Sequence, residues 1–260
     1  MIRYIAFDVE TTGLVPGVDR IIELAAVKFE GRLVLESFQR LVDPGFSIPE
    51  PASRVNGITD IMVRGAPRIE EALQGFLCFL GQGTPMAHNA TFDVGFIAAD
   101  ARRTGMVPPA GPVLDTRGLA RHVFPKRTSY SLQTLTRDLR LDQGSHRALA
   151  DAHACRELFL RCRQMLEDDM SPAALAKASG APLDFLCHVP RHAELAVRLA
   201  EAMRRGVDVR IQYRSSGGDV TERDIQPLTF VIVGGAICIR AFCRLRGAER
   251  TFRLDAIVNP

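Results

Sequence analysis

The 260-residue chain has no run of 18 apolar residues, so no transmembrane helix is expected. Its first strand begins at once, leaving no room for a signal peptide, and a cytoplasmic location follows as the expectation. It also lacks any Cys-x-x-Cys pair. The six cysteines are scattered, and Cys78, Cys155 and Cys162 fall on apolar stripes, which reads as free, buried thiols in a reducing compartment. There is no tryptophan, which excludes any pocket built on an indole. A strong charge of either sign is missing too: the net charge is +3. The length suits two domains better than one.

The chain does have two acids one residue apart at the end of an apolar strand, in Ile5-Ala6-Phe7-Asp8-Val9-Glu10. Strand side chains alternate, so Asp8 and Glu10 share a face. Close ionised carboxylates repel and are costly to desolvate, and a bound divalent cation resolves both problems. Oxygen ligands without sulfur point to Mg²⁺ or Mn²⁺. A solvated strand end carrying two acids is the plain alternative.

Two further segments add acids. In His88-Asn89-Ala90-Thr91-Phe92-Asp93, a strand gives way to a helix with Phe92, Phe96, Ile97 and Ala101 at helical spacing. Asp93 falls in the first turn, where the helix dipole favours a negative charge, so a purely structural role is open to it. In His146-Arg147-Ala148-Leu149-Ala150-Asp151-Ala152, Asp151 lies beside the stripe Ala152, Cys155, Leu158, Phe159, Cys162 and Leu166. A carboxylate turned toward a core needs a partner, and a metal is one. Asp8, Glu10, Asp93 and Asp151 are expected to gather around two metal ions of the kind that serve phosphoryl transfer. His146, five residues before Asp151, cannot share its helical face and is expected in the preceding loop, as general base.

Together, Asp8-Val9-Glu10-Thr11-Thr12-Gly13-Leu14, His88 to Asp93 and His146 to Ala152 resemble the three motifs of the DnaQ-like, DEDDh 3′→5′ exonucleases, the family of bacterial proofreading subunits. The likeness covers about residues 1–165, and Asn56-Gly57-Ile58-Thr59-Asp60 resembles a further family segment near the 3′-terminal nucleotide. It implies an α/β RNase H-like fold, a mixed sheet flanked by helices, and release of nucleoside 5′-monophosphates from a free 3′ end with two Mg²⁺ or Mn²⁺ ions. Asp8, Glu10 and Asp151 resemble ligands of the first metal, Asp8 bridging to the second, which Asp93 helps to hold. Thr11, Thr12, Leu14, Ile58, Asn89 and Phe92 would meet the terminal nucleotide; core packing for Leu14 and Phe92, and a plain turn at Thr11-Thr12-Gly13, stay open. DNA is favoured over RNA as substrate, with a replication or repair protein as a possible partner and no membrane. An RNA-directed exonuclease, or a binding regulator whose C-terminal part is the functional one, are the alternatives.

Residues 20–29 and 32–42 read as strands, forming an antiparallel meander with residues 2–8. Ile69, Leu73, Phe76, Leu77 and Leu80 make an amphipathic helix, Asp115 a helix N-cap, and residues 131–139 a short helix capped by Ser129 or Ser131. Arg102, Arg103, Arg121, Lys126, Arg127 and Arg147 are candidates for phosphate contacts. Residues 166–185, with Glu167, Asp168 and Asp169, read as a linker with a helix over 172–178. Residues 186–260 read as a helix over 193–205 and five strands, 207–214, 219–228, 229–233, 236–244 and 250–254, with turns at 215–218, Gly234-Gly235 and Arg246-Gly247. This part has 12 Arg and no Lys against 8 acids, arranged so that a row of arginines could face phosphate or discourage edge pairing. It resembles a WYL domain, an SH3-like barrel, at Tyr213, Arg223, Pro227, Ile237–Phe242 and Arg250–Leu254. It departs at the name-giving triplet, where Ile237-Cys238-Ile239 stands.

Overall fold

The computed structural model describes residues 2–142, 144–166, 170–180, 183–186, 193–233 and 236–259. The chain divides into two units, one of Met1–Thr12 and Arg20–Val189, the other of Gly13–Asp19 and Pro190–Pro260.

In the first unit the elements run β1 (Arg3–Thr11), β2 (Ile21–Glu30), β3 (Leu33–Leu41), α1 (Glu50–Asn56), α2 (Asp60–Val63), α3 (Ile69–Leu80), β4 (Thr84–Ala87), α4 (Thr91–Thr104), β5 (Leu114–Asp115), α5 (Thr116–Val123), α6 (Leu132–Asp138), α7 (Ala148–Arg163) and α8 (Pro172–Ala178). The sheet order is β3-β2-β1-β4-β5. The expected meander β1-β2-β3 is antiparallel, and β4 and β5 continue it in parallel.

Alternation along β1 sorts the molecule into two cores. Ile5, Phe7 and Val9 face one way, packing with Leu73, Phe76 and Leu80 of α3 and Val94 and Ile97 of α4. Tyr4 and Ala6 face the other way, packing with Leu119 of α5, Leu135 of α6 and Cys155, Leu158 and Phe159 of α7. Burying each large side chain contributes roughly 1.5–3 kcal/mol. Asp8 and Glu10 continue the Tyr4–Ala6 face, so the strand delivers both acids to the side on which α7 lies.

The expected linker is part of this unit. Leu175 and Ala176 of α8 are buried in the α7 core, and Phe185 in the α3–α4 core. The Leu183 carbonyl accepts from the Val113 N–H. A Cβ on Gly118 would stand 1.7 Å from the Ser179 carbonyl oxygen, so glycine lets α5 approach the end of α8. The acidic run 167–169 and the Ala181-Pro182 pair lie outside the described residues. Cys155 and Cys162 are buried as expected, but Cys78 is exposed, on the outward side of α3.

In the second unit, α9 (Ala193–Arg205) is followed by β6 (Val209–Arg214), β7 (Val220–Val233), β8 (Ala236–Cys243), β9 (Ala248–Arg253), a 3₁₀ turn (Leu254–Ala256) and β10 (Ile257–Asn259). The antiparallel order is β10-β6-β7-β8-β9. Leu195 and Leu199 of α9 pack on Ile211, Ile225, Ile239 and Phe252, together with Val15 of the Gly13–Asp19 segment. Three expectations change. The strands 219–228 and 229–233 are one strand with a register shift between Pro227 and Thr229, where proline has no N–H to donate. The fifth strand is β10, too short to show a pattern. The sheet ends in β9 and β10, and among the described residues no ladder joins these edges as a closed barrel requires. Gly234-Gly235 lies outside the described residues. Of the arginines expected in a row, Arg240 pairs with Glu249, Arg244 with Asp208 and Arg253 with Asp255, and Arg210 pairs with Asp224.

Candidate active site

The parallel ladder between β1 and β4 ends at Ala6 and Met86. Beyond it the backbone N–H of Val9 donates to Asp93 Oδ1 at 3.1 Å, which draws the first turn of α4 against β1. Asp93 therefore ties two elements rather than capping its own helix, for which no side-chain cap exists. Carboxylate oxygens of Asp8, Glu10 and Asp151 lie within 4.8 Å of one another. Asp8 and Glu10 are half-buried and Asp151 is buried.

Asp151 sits in the first turn of α7, and the loop before that helix folds over it. The backbone N–H groups of Ser145 and His146 donate to its carboxylate. Its Oδ1 is buried and meets no hydrogen-bond donor. A Cβ on Gly144 would stand 1.7 Å from that oxygen, so the loop closes only with glycine there. His146 lies in the loop, as expected, with φ +54°, a left-handed conformation that histidine tolerates better than most residues. Its side chain is exposed, and its charge acts on Asp151.

Burial and mutual repulsion raise the pKa of all four acids. Burial, then Asp93, Glu10, Asp151 and Glu23, hold the Asp8 carboxyl well above the usual range. Burial and the charges of Asp151, Glu23 and Asp93 push Glu10 up to about 8, against a hydrogen bond from Asn56. Burial is also the leading cause for Asp93 and Asp151. Such a cluster holds protons or a cation. Three converging carboxylate oxygens with one buried oxygen lacking a donor fit a hard divalent ion held by Asp8, Glu10 and Asp151.

Glu23 was not legible as part of this site. It faces Glu10 across the β1–β2 ladder and is fully buried. It accepts from Arg147 Nε (3.1 Å) and an Arg147 terminal nitrogen (2.7 Å), from the Ala148 N–H (3.0 Å) and from Gln39 (2.8 Å). Burial raises its pKa, but these bonds outweigh it and the net shift is downward. The ion pair fastens the start of α7 to β2, so Arg147 is engaged there rather than free for phosphate. Asn56, buried at the end of α1, holds Glu10 and accepts from the Ile58 N–H.

The other expected contact residues are dispersed. Thr12 closes the base of the segment after β1: its N–H donates to the Arg20 carbonyl and its Oγ1 accepts from the Arg20 N–H. Thr11 is buried beside it. Leu14 is partly buried against the α9 core of the second unit. Ile58 is fully buried with Ile22, Ile48 and Val63, and presents no surface to a ligand here. Phe92 is partly buried against Phe96. Asn89, at φ +64°, lines a cleft of about 540 Å³ that also touches Asp8, Asp151, Arg117, Arg121 and Ser129 to Gln133. Asp115 caps α5 through the Arg117 N–H, as expected, and also accepts from the Asn89 N–H. Arg103 is paired with Glu70 and Asp100, and Arg127 with Asp138.

Residues 5–159 match the family RNase_T, described as exonuclease. The chain belongs to this exonuclease family. Residues 194–260 match the WYL domain. A DNA polymerase III PolC-type from Halalkalibacterium halodurans is 38% identical over 160 residues, 61% of this chain and 11% of that protein. The one from Listeria monocytogenes is 40% identical over 152 residues, 58% of this chain and 10% of that protein. The chain thus spans about a tenth of these relatives. Exonuclease X, solved in complex with 5′ overhanging duplex DNA, superposes with TM-score 0.55 at 27% identity, over 69% of this chain and 100% of that one. E. coli exonuclease I, solved with a dA16 oligonucleotide, matches in fold with TM-score 0.55 at 15% identity, over 93% of this chain and 55% of that one. The first unit has the RNase H-like exonuclease fold, with its mixed sheet flanked by helices.

Proposed function

We propose that this chain is a divalent-metal-dependent 3′→5′ exonuclease that removes nucleoside 5′-monophosphates from the 3′ end of DNA. The observation that carries it is the convergence of Asp8, Glu10 and Asp151 around the donor-free Asp151 oxygen, with His146 in the loop that wraps it. A bound Mg²⁺ or Mn²⁺ pair would supply charge stabilisation for the attacking and leaving oxygens. Asp8, Glu10 and Asp151 would hold one ion. Asp93, anchored to the Val9 N–H, would help with the second. His146, exposed at the loop's edge, would take the proton from the attacking water at a ring nitrogen. Asn89, Phe92, Thr11 and Thr12 would border the terminal nucleotide, and Ile58 would support that border from its core.

DNA as substrate is supported by the relatives, which are named as DNA polymerases, and by exonuclease X, solved with duplex DNA. The same relatives support a replication or repair partner. Among the described residues no helix is long and apolar enough to cross a membrane. The reading is tested with 5′-labelled single-stranded DNA and its RNA counterpart, in Mg²⁺, Mn²⁺ or EDTA, beside Asp8→Ala. A metal-dependent ladder shortening from the 3′ end, faster on DNA and absent in the variant, is expected. Faster loss of RNA would overturn the substrate, and no cleavage of either would overturn the activity.

A further inference from the structure

The cleft beside the acids has an opposite, basic end. Arg117, in the first turn of α5, and Arg121, one turn later, both line it, together with Asp8 and Asp151. Among the described residues neither arginine meets a carboxylate within ion-pair distance, whereas Arg103, Arg127 and Arg147 each do. One terminal nitrogen of Arg117 donates to Asn89 Oδ1 at 2.8 Å. Its Nε is buried and donates to nothing. The exposed Arg121 guanidinium lies over the Tyr130 ring, 5.5 Å from its centroid. The wall behind them is fixed: half-buried His88 bonds the Tyr130 carbonyl through Nε2 (2.9 Å) and Thr116 Oγ1 through Nδ1 (3.0 Å). A carbonyl only accepts, so Nε2 carries a proton.

We infer that Arg117 and Arg121 form the subsite for the phosphate next upstream of the scissile one, so that the strand runs from the acidic end of this cleft to its basic end. This rests on the exonuclease reading above. A terminal nucleotide carries only the scissile phosphate, which belongs at the acids. Any second phosphate is that of the penultimate linkage, and it is an anion seeking planar, fixed donors. The exposed Arg121 guanidinium supplies such donors at the mouth of the cleft. The Arg117–Asn89 bond joins this subsite to the expected terminal-nucleotide pocket. Recognition there is of the backbone, so it discriminates chain length rather than sequence.

The test is binding of a short 5′-fluorescein-labelled single-stranded DNA, followed by anisotropy in EDTA across a NaCl series. Each single-strand phosphate contact contributes about 0.7 to the slope of log affinity against log salt. The Arg117→Ala/Arg121→Ala protein, which loses that one contact, should therefore lose about 0.7 from the wild-type slope and bind more weakly at low salt. Arg117→Lys/Arg121→Lys, which keeps the charge, should recover the slope. Should the double alanine variant fail to fold, Arg121→Ala alone, at an exposed side chain, should lower the slope by a part of that about 0.7 and weaken binding at low salt. A slope equal to wild type in the alanine variants overturns the subsite. Wild-type protein that shortens DNA with Mg²⁺ while the slopes coincide keeps the exonuclease and loses the subsite. Altered slopes without any Mg²⁺-dependent shortening keep the subsite and lose the exonuclease.

Discussion

At the scale of single residues the site depends on a few atoms. His146→Ala should lower kcat by about 10²- to 10⁴-fold, the usual contribution of a general base. An unchanged kcat would take the proton transfer away from His146. Gly144→Ala would force a methyl group into the space of the buried Asp151 oxygen. It should cost activity and Mn²⁺ affinity together, by calorimetry, while the fold persists. Arg147→Ala leaves Glu23 buried without its cation and should destabilise the protein by about 3 kcal/mol in urea unfolding. Asp8, Glu10, Asp151 and His146 were legible in the sequence because their chemistry needs fixed residue types at short spacing. Glu23 and Arg117 were not: nothing local distinguishes a buried paired glutamate in Ile21-Ile22-Glu23-Leu24 from a surface one, and Arg117 acquires its meaning only where the end of β4 meets the start of α5.

At the scale of elements, strand alternation explains how the site is assembled, because the face that buries Tyr4 and Ala6 against α7 also presents Asp8 and Glu10 to it. The cluster opposes folding when no cation is present. Glu10 sits at about 8 in the folded chain and near 4.3 in an unfolded one. Between those values the folded state holds a proton the unfolded state has released, so raising the pH through this window lowers stability. In EDTA the melting temperature should fall from pH 5.5 toward 8.5, and Mg²⁺ should flatten the curve; a rise with pH in EDTA would contradict this. Gly118→Ala should cost about 1–3 kcal/mol, read by thermal unfolding, because the added carbon meets the Ser179 carbonyl. The meander, α3, α7 and the caps of α5 and α6 were legible from period and cap chemistry. The bent strand β7 was not, since Pro227 reads as a break when it is a bulge within one strand. The helix α8 and Phe185 were read as linker because proline and a run of acids flank them, while their burial depends on partners far away in sequence.

At the scale of the whole molecule, the exonuclease unit holds its acid cluster at one end of a cleft and, at the other, Arg117 and Arg121, which meet no carboxylate within ion-pair distance among the described residues. In the second unit Arg205, Arg210, Arg240, Arg244 and Arg253 each pair with an acid. The most direct test of the central claim is the identity of the first product. Single-stranded DNA with a free 3′ end, and the same strand blocked there by a 3′ phosphate cap, are incubated with Mg²⁺, and released species are weighed by mass spectrometry. Nucleoside 5′-monophosphates from the free strand, with the capped strand spared, are predicted. Nucleoside 3′-monophosphates, or internal fragments from both strands, would contradict the account.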